Sequence, residues 1–228
     1  MGIADNNNKP MTNNQLIELI IAIEQADSSE GLLKAVEALA DARLEGGIPT
    51  LITVLSYNNP GAAVAAVDGL VQLGEVAVLP LLNLLDEYNY GARAWAIRAL
   101  AGIGDPRGLE TLLNAAETDF ALSVRRSAAK GLGNLEWGKM PVEEIQIAQK
   151  RVFNTLVVTC QDPEWVVRYS AVVGLQTLAT AVAETQPDLF SQIISHFEEI
   201  LNIEFDMAVH TRIQLGLAQL TQTSLTPF

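Results

Sequence analysis

The side chains with most chemical potential in this chain are basic and aromatic, and they gather in its middle. Arg93, Arg98, Arg107, Arg125, Arg126 and Lys130 fall within about 40 residues, and Trp95 stands three residues before Arg98. The chain as a whole is acidic, with 27 Asp and Glu against 14 Lys and Arg and a formal net charge of −13. These residues would therefore form a local cationic patch on an acidic body. The same balance argues against a general nucleic-acid binder, whose affinity rests on neutralising phosphates. Several of the arginines have a plainer use in solvated or intramolecular salt bridges.

Other chemistry is thinly represented. One cysteine, Cys160, cannot build a disulfide framework, and with only His196 and His210 it supplies no set of metal ligands. Neither histidine has a Ser, Cys or carboxylate at a spacing that suggests a nucleophile and its base. No Walker loop or dinucleotide glycine pattern appears, because Gly102-Ile103-Gly104 ends a helical stretch instead of opening one after a strand. Any catalysis would come from positioning.

The elements that must do the positioning are helices in a repeat. A leucine recurs at Leu39, Leu70, Leu100, Leu132, Leu175 and Leu217, each preceded by a small residue: Ala38, Gly69, Ala99, Gly131, Gly174 and Gly216. Four positions before each leucine stand Ala35, Ala66, Ala96, Ala128, Ala171 and, breaking the pattern, Ile213. Steps of 31, 30, 32, 43 and 42 residues fit one helix pair per repeat, the last two with insertions. Such a unit buries its apolar stripe only against a neighbour. No segment alternates with period two, so the sequence predicts an all-α, HEAT-like (α-α superhelix) repeat solenoid of about five to six helical pairs.

Spacing of apolar residues by three and four places an opening pair at 15–26 and 29–44. Further pairs follow at 48–55 with 62–73, 76–85 with 92–103, 108–116 with 122–135, 141–161 with 164–182, and 186–202 with 206–222. Turns fall at Asn58-Asn59-Pro60-Gly61, at Glu87 to Gly91, at Gly104-Asp105-Pro106 and at Asp162-Pro163, and Pro141 and Pro187 each suit a first helical turn. Residues 1–11 read as a flexible leader, 12–223 as a single repeat array and 224–228 as a loose tail. With 49% hydrophobic residues but no run near the roughly 18 apolar residues of a membrane span, the chain reads as soluble. The start, MGIADNNNKPMTNN, shows neither a signal core nor a transit pattern, so a cytoplasmic location is expected.

In YNYGARAWAIRALAGIGDPRGLETLL the order is turn, arginine early in a helix, small-Leu seam, Gly-Asp-Pro and second helix. The arginine recurs at Arg93, Arg125 and Arg168, with acidic turn residues ahead at Glu87, Asp119 and Asp162. Together with NNPGAAVAAVDGLVQLG and TDFALSVRRSAAKGLGNL, this resembles the HEAT-like repeat family of phycobilisome lyases over about residues 12–180, in particular the F-type subunits of heterodimeric phycocyanobilin lyases. The resemblance implies an Asp/Arg ladder between repeats. It also implies an E-type HEAT partner with which the chain attaches phycocyanobilin, through a thioether, to a cysteine of the phycocyanin alpha subunit. The nucleophile then belongs to the substrate, and no cofactor is held permanently. A sister lyase that isomerises its chromophore carries an adjacent His-Cys pair; neither histidine here neighbours Cys160, so isomerisation is not expected. The last 45 residues depart from the pattern, with Ile213 for the small residue and His210 for the arginine.

The resemblance further implies that the helix opening with the repeated arginine lines the concave side. Helical phase then turns Ala96, Ile97, Ala99 and Leu100 inward and Trp95 and Arg98 outward, with Ala65 and Asp68, and Ser127 and Lys130, in corresponding places. A linear tetrapyrrole offers propionates to Arg or Lys, a nitrogen rim to a carboxylate and a flat face to an aromatic ring. On that basis the candidates for contact with bilin or acceptor are Asp68, Tyr88, Tyr90, Trp95, Arg98, Arg125, Arg126 and Lys130. Arg93 and Arg125 compete with the ladder, Tyr88 and Tyr90 with packing between turns, Trp95 with a protein interface, and Asp68, Arg98 and Lys130 with a salt-bridged row. Cys160, late in an apolar run without an adjacent base, reads as a buried structural thiol over a transient adduct site. The rival functions are a non-catalytic HEAT adaptor in phycobiliprotein assembly or turnover, and a lyase for another bilin or acceptor. An open array exposes apolar ends, so the partner interface is expected at the N-terminal helices or the divergent C-terminal pair.

Overall fold

The computed structural model describes residues 13–86 and 90–223, and among them every regular element is helical. The expected leader, the expected tail and Tyr88 lie outside the described residues. The chain divides into two compact units, residues 1–95 and 96–228. The first contains α1 (Asn13–Glu24), α2 (Ser29–Ala42), α3 (Ile48–Val54), α4 (Pro60–Leu73) and α5 (Val78–Asp86). The boundary falls inside α6 (Tyr90–Ile103). The second unit continues through α7 (Leu109–Thr118), α8 (Leu122–Gly133), α9 (Val142–Thr159), α10 (Trp165–Val182), α11 (Pro187–Leu201) and α12 (Met207–Thr223). The all-α, HEAT-like class expected from the repeat is what the chain adopts.

Local chemistry explains most boundaries. Ser28 caps α2 by accepting from the Gly31 N–H at 3.1 Å. Asn59 caps α4 by accepting from the Ala62 N–H at 3.1 Å, and its amide donates to the Ser29 carbonyl of the preceding pair. Pro60 and Pro187 occupy the first turns of α4 and α11, where a missing N–H costs nothing. Pro141 differs from expectation, standing at the N-cap of α9 with extended ψ. Single 3₁₀ turns at Glu45–Gly47, Gly74–Ala77, Pro106–Gly108 and Trp137–Lys139 also went unread, being too short to show a period.

The stretch Pro60–Leu85 has the length and composition of a membrane span. It is two helices, broken where Gly74 takes φ 71°, a conformation costly for any residue with a Cβ. Ala62, Ala63, Ala66, Val67 and Leu70 are buried there, and α4 packs on α2 and α3.

The small-Leu seam has a steric basis. Leu39, Leu70, Leu100, Leu132 and Leu175 are all buried, each stabilising the fold by about 1.5–3 kcal/mol relative to exposure. The glycines before Leu70, Leu132 and Leu175 press on a neighbouring helix, at Ala40, Ala101 and Ala129: a Cβ on Gly174 would sit 2.5 Å from the Ala129 carbonyl oxygen. In the last pair, a Cβ on Gly216 would meet the Phe197 ring at 3.1 Å, and buried Ile213 fills the place of the usual alanine. The divergent sequence there reflects different packing.

Candidate functional site

The repeated arginine builds a ladder. Arg125, early in α8, donates from Nε to Asp162 Oδ2 at 2.6 Å and from Nη2 to Asp162 Oδ1 at 3.2 Å. Its Nη1 reaches back to the carbonyls of Asp119 and Phe120 at 2.8 and 3.1 Å. Arg168 in α10 repeats the arrangement one pair later, forked onto Glu204 at 2.8 and 2.9 Å and bonded to the Asp162 and Pro163 carbonyls at 3.0 and 3.2 Å. Each acidic residue also accepts a turn N–H two residues on, from Glu164 to Asp162 and from Asp206 to Glu204, both near 2.9 Å. One carboxylate thus closes its own turn and joins it to the preceding pair. Arg168 holds the Glu204 carboxyl below the usual glutamate range, and Asp162 raises the Arg125 pKa. Arg125 therefore stands in a structural rung, and any ligand carboxylate would have to displace Asp162.

The other candidates divide by exposure. Arg126 and Lys130, four apart on α8, are exposed and enter no ion pair among the described residues. Arg98 is exposed and Trp95 half-buried on α6; Ala96, Ile97, Ala99 and Leu100 are buried as the helical phase requires. Asp68 is exposed on α4, whereas Ala65, placed outward by the same phase, is buried. Close packing of alanine-rich helices narrows the exposed arc to fewer positions than the period suggests. Tyr90 begins α6, but its side chain lies outside the described residues.

Two aromatic residues complete the α8 face and were missed. Trp165 and Tyr169, one turn apart on α10, are 45% and 37% exposed. The 43-residue step from Leu132 to Leu175 superposes Trp165 on Leu122 and Tyr169 on Arg126. As α10 packs on α8, the second unit carries cations and aromatic rings on neighbouring helices. Beyond them, Ile203, Phe205 and Met207, at the turn into α12, are 77–88% exposed.

Nothing resembling a protein nucleophile joins this face. Cys160 is a free, buried thiol whose pKa is pushed up to about 12, mainly by burial and secondarily by the Glu204 charge. His196 is half-buried beside Glu199, its Nδ1 4.0 Å from Oε2, and desolvation lowers its pKa against the opposing effect of that carboxylate. No cluster of three His, Cys, Asp or Glu able to hold a metal occurs among the described residues.

Comparison with known proteins adds an independent line. A model of HEAT repeats matches residues 78–147. The chain is similar to the phycocyanobilin lyase subunit beta of Pseudanabaena tenuis, 56% identical over 209 residues, 91% of this chain and 74% of the relative. It is similar as well to the phycocyanin alpha phycocyanobilin lyase CpcF of a Synechocystis species, 60% identical over 165 residues, 72% of this chain and 77% of that protein. Among solved structures it resembles a chain in the complex of CpcE and CpcF of phycocyanin lyase from Nostoc sp. PCC7120. That match has 52% identity and a TM-score of 0.68, covering 75% of this chain and 98% of the other.

Proposed function

The chain belongs to the family of phycocyanobilin lyase beta subunits, and on that premise we propose that it works with an E-type HEAT partner to attach phycocyanobilin to a cysteine of the phycocyanin alpha subunit. The observation that carries the proposal is 52% identity over nearly the whole of a chain in the solved complex of CpcE and CpcF. The likeness to a phycobilisome maturation protein from Synechococcus elongatus, 52% identical over 87% of this chain, agrees with action where phycobilisomes are assembled, in the cytoplasm.

The attachment is an addition. The acceptor sulfur bonds to a bilin carbon, the thiol proton ends on the bilin, and nothing else leaves or is oxidised. A lyase subunit then needs no nucleophile of its own, consistent with Cys160 being buried and poorly ionised. Its contribution is orientation, which in well-placed reactants is worth on the order of 7–11 kcal/mol. Arg126 and Lys130 would draw the bilin carboxylates, and Trp165 and Tyr169 would bear on its conjugated face. Trp95, Arg98, Asp68, Tyr88 and Tyr90 stay candidates for contact with bilin or acceptor; Arg125 serves by holding α8 in place. The E-type partner would cover the C-terminal turn, where Ile203, Phe205 and Met207 offer apolar area.

The test is to incubate the chain, with and without an E-type subunit, with phycocyanobilin and apo-phycocyanin alpha subunit, and to follow colour that survives denaturing electrophoresis. Covalent colour at a rate and with a spectrum set by the pair supports the reading. Product identical to the uncatalysed mixture overturns it and leaves a non-catalytic adaptor; colour only with another bilin or acceptor reassigns the substrate.

A further inference from the structure

A cavity of about 560 Å³ lies within the second unit, away from the rungs of the ladder. Asn134, Glu136 and Trp137 of the α8–α9 connection form one wall, Gln176, Thr177 and Thr180 of α10 another, and Arg212 of α12 a third. Its size falls in the range of small-molecule sites.

Two of its lining residues carry buried donors with no acceptor among the described residues: Trp137 Nε1 and Arg212 Nε. An indole N–H and a guanidinium N–H buried in this way each cost stability unless an acceptor is supplied. Arg212 has a further peculiarity. Unlike Arg125 and Arg168 it meets no carboxylate among the described residues; Nη2 donates to the Gln176 side-chain oxygen, whose own amide donates to Gln219 Oε1 at 2.6 Å. A neutral amide orients the guanidinium without neutralising it. The acid on the cavity wall, Glu136, is engaged by Lys139 at 2.6 Å. The Thr177 and Thr180 hydroxyls are spent on the Val173 and Gln176 carbonyls, both at 3.1 Å; the positive charge of Arg212 and the two unmet donors remain around one space, a donor set suited to a carboxylate.

We propose that this cavity, centred on Arg212 and Trp137, binds a propionate of the bilin and so fixes which end of the tetrapyrrole points along α10. The inference rests on the function proposed above. Arg212 and Trp137 act here as positioning residues, holding the substrate carboxylate while the reacting carbon lies elsewhere. Thr180 and Tyr169 lie on the same chain of turns along α10, so one extended ligand can engage both the aromatic face and the cavity.

The experiment uses the purified pair of this chain with its E-type partner and titrates it with phycocyanobilin and with its dimethyl ester, reading absorbance. Wild type should hold the free acid about 10- to 100-fold more tightly than the ester. Arg212→Gln should take away most of the acid preference and leave the share that Arg126 and Lys130 supply, Arg212→Lys should retain more of it, and Trp137→Phe should lose about 3- to 10-fold for the acid alone. Equal binding of acid and ester by wild type, or full acid preference in both Arg212→Gln and Trp137→Phe, overturns the cavity assignment. Should Arg212→Gln lose its helicity, Trp137→Phe decides. Attachment to the apo-subunit, measured in parallel, separates the two ideas. Intact wild-type attachment without acid preference overturns the cavity, and with it the carboxylate role of Arg126 and Lys130, but leaves the lyase reading standing, whereas neither binding nor attachment overturns the proposed function and the assigned ligand together.

Discussion

Arg168 and Glu204 form a two-pronged ion pair between α10 and the turn before α12, with 8% and 7% of their side chains exposed. The same guanidinium lies 5.2 Å from the centroid of the Phe205 ring. An arginine in the expected helical position therefore finds its acid in the divergent last pair, with Glu where the turns ahead of α8 and α10 have Asp119 and Asp162.

Because the pair is desolvated, removing one member leaves a buried charge behind. Glu204→Gln should destabilise the chain by about 3–5 kcal/mol, with a fall in Tm of roughly 2–4 °C per kcal/mol for a chain of this size. Thermal unfolding followed by circular dichroism checks it. The depressed Glu204 pKa adds a pH signature: the pair's stabilisation holds above the ordinary glutamate range and is lost as pH falls through the lowered native value. Glu204→Gln should remove that acid-side loss.

Gly174 tests the seam. A methyl group there would meet the Ala129 carbonyl oxygen at 2.5 Å, and backbone cannot swing aside as a side chain can. Gly174→Ala, ordinarily favourable in a helix, should here force α8 and α10 apart and cost about 1–3 kcal/mol. A denaturant midpoint at or above that of the parent would show that the two helices are not pressed together.

These contacts also explain what could be read beforehand. Leu100, Leu132 and Leu175 repeat with a small neighbour because each helix pair solves the same packing problem, so the pattern survives in one dimension. The partner of Arg168 did not: Glu204 lies 36 residues on, in a turn whose sequence left the repeat. Trp137 and Arg212 were invisible for a related reason. Each is unremarkable in its own segment, and only folding brings an α8–α9 turn and α12 to one cavity. The basic cluster was legible as composition, but which arginine holds the scaffold and which faces out depended on acids a repeat away.

His196 should make stability fall on mild acidification. Burial keeps its native pKa below the ordinary value near 6.5, so between the two values the unfolded chain binds a proton that the folded chain refuses. Stability is independent of this group above that window and declines toward its lower edge, at most by about 1.4 kcal/mol per pH unit. Tm measured from pH 8 to 5.5 should drop for the parent and stay flatter for His196→Gln; parallel curves would remove His196 as the cause.

Arg126 and Lys130 are the cations on α8 whose role can be separated from folding. Both are exposed, and since neither holds an ion pair among the described residues, reversing them should leave helicity and Tm close to those of the parent. In a chain of net charge −13 their local field would matter most for an anionic pigment, and it is weakened by salt over a Debye length of about 8–10 Å. Arg126→Glu with Lys130→Glu should lower the rate of phycocyanobilin attachment about tenfold, equivalent to ~1.4 kcal/mol. The parent's rate should decline with added salt while the double variant's changes little. Unaltered attachment by a folded double variant would return both residues to the solvated surface and shift the binding face to α6, where Arg98 and Trp95 would be the next pair to change.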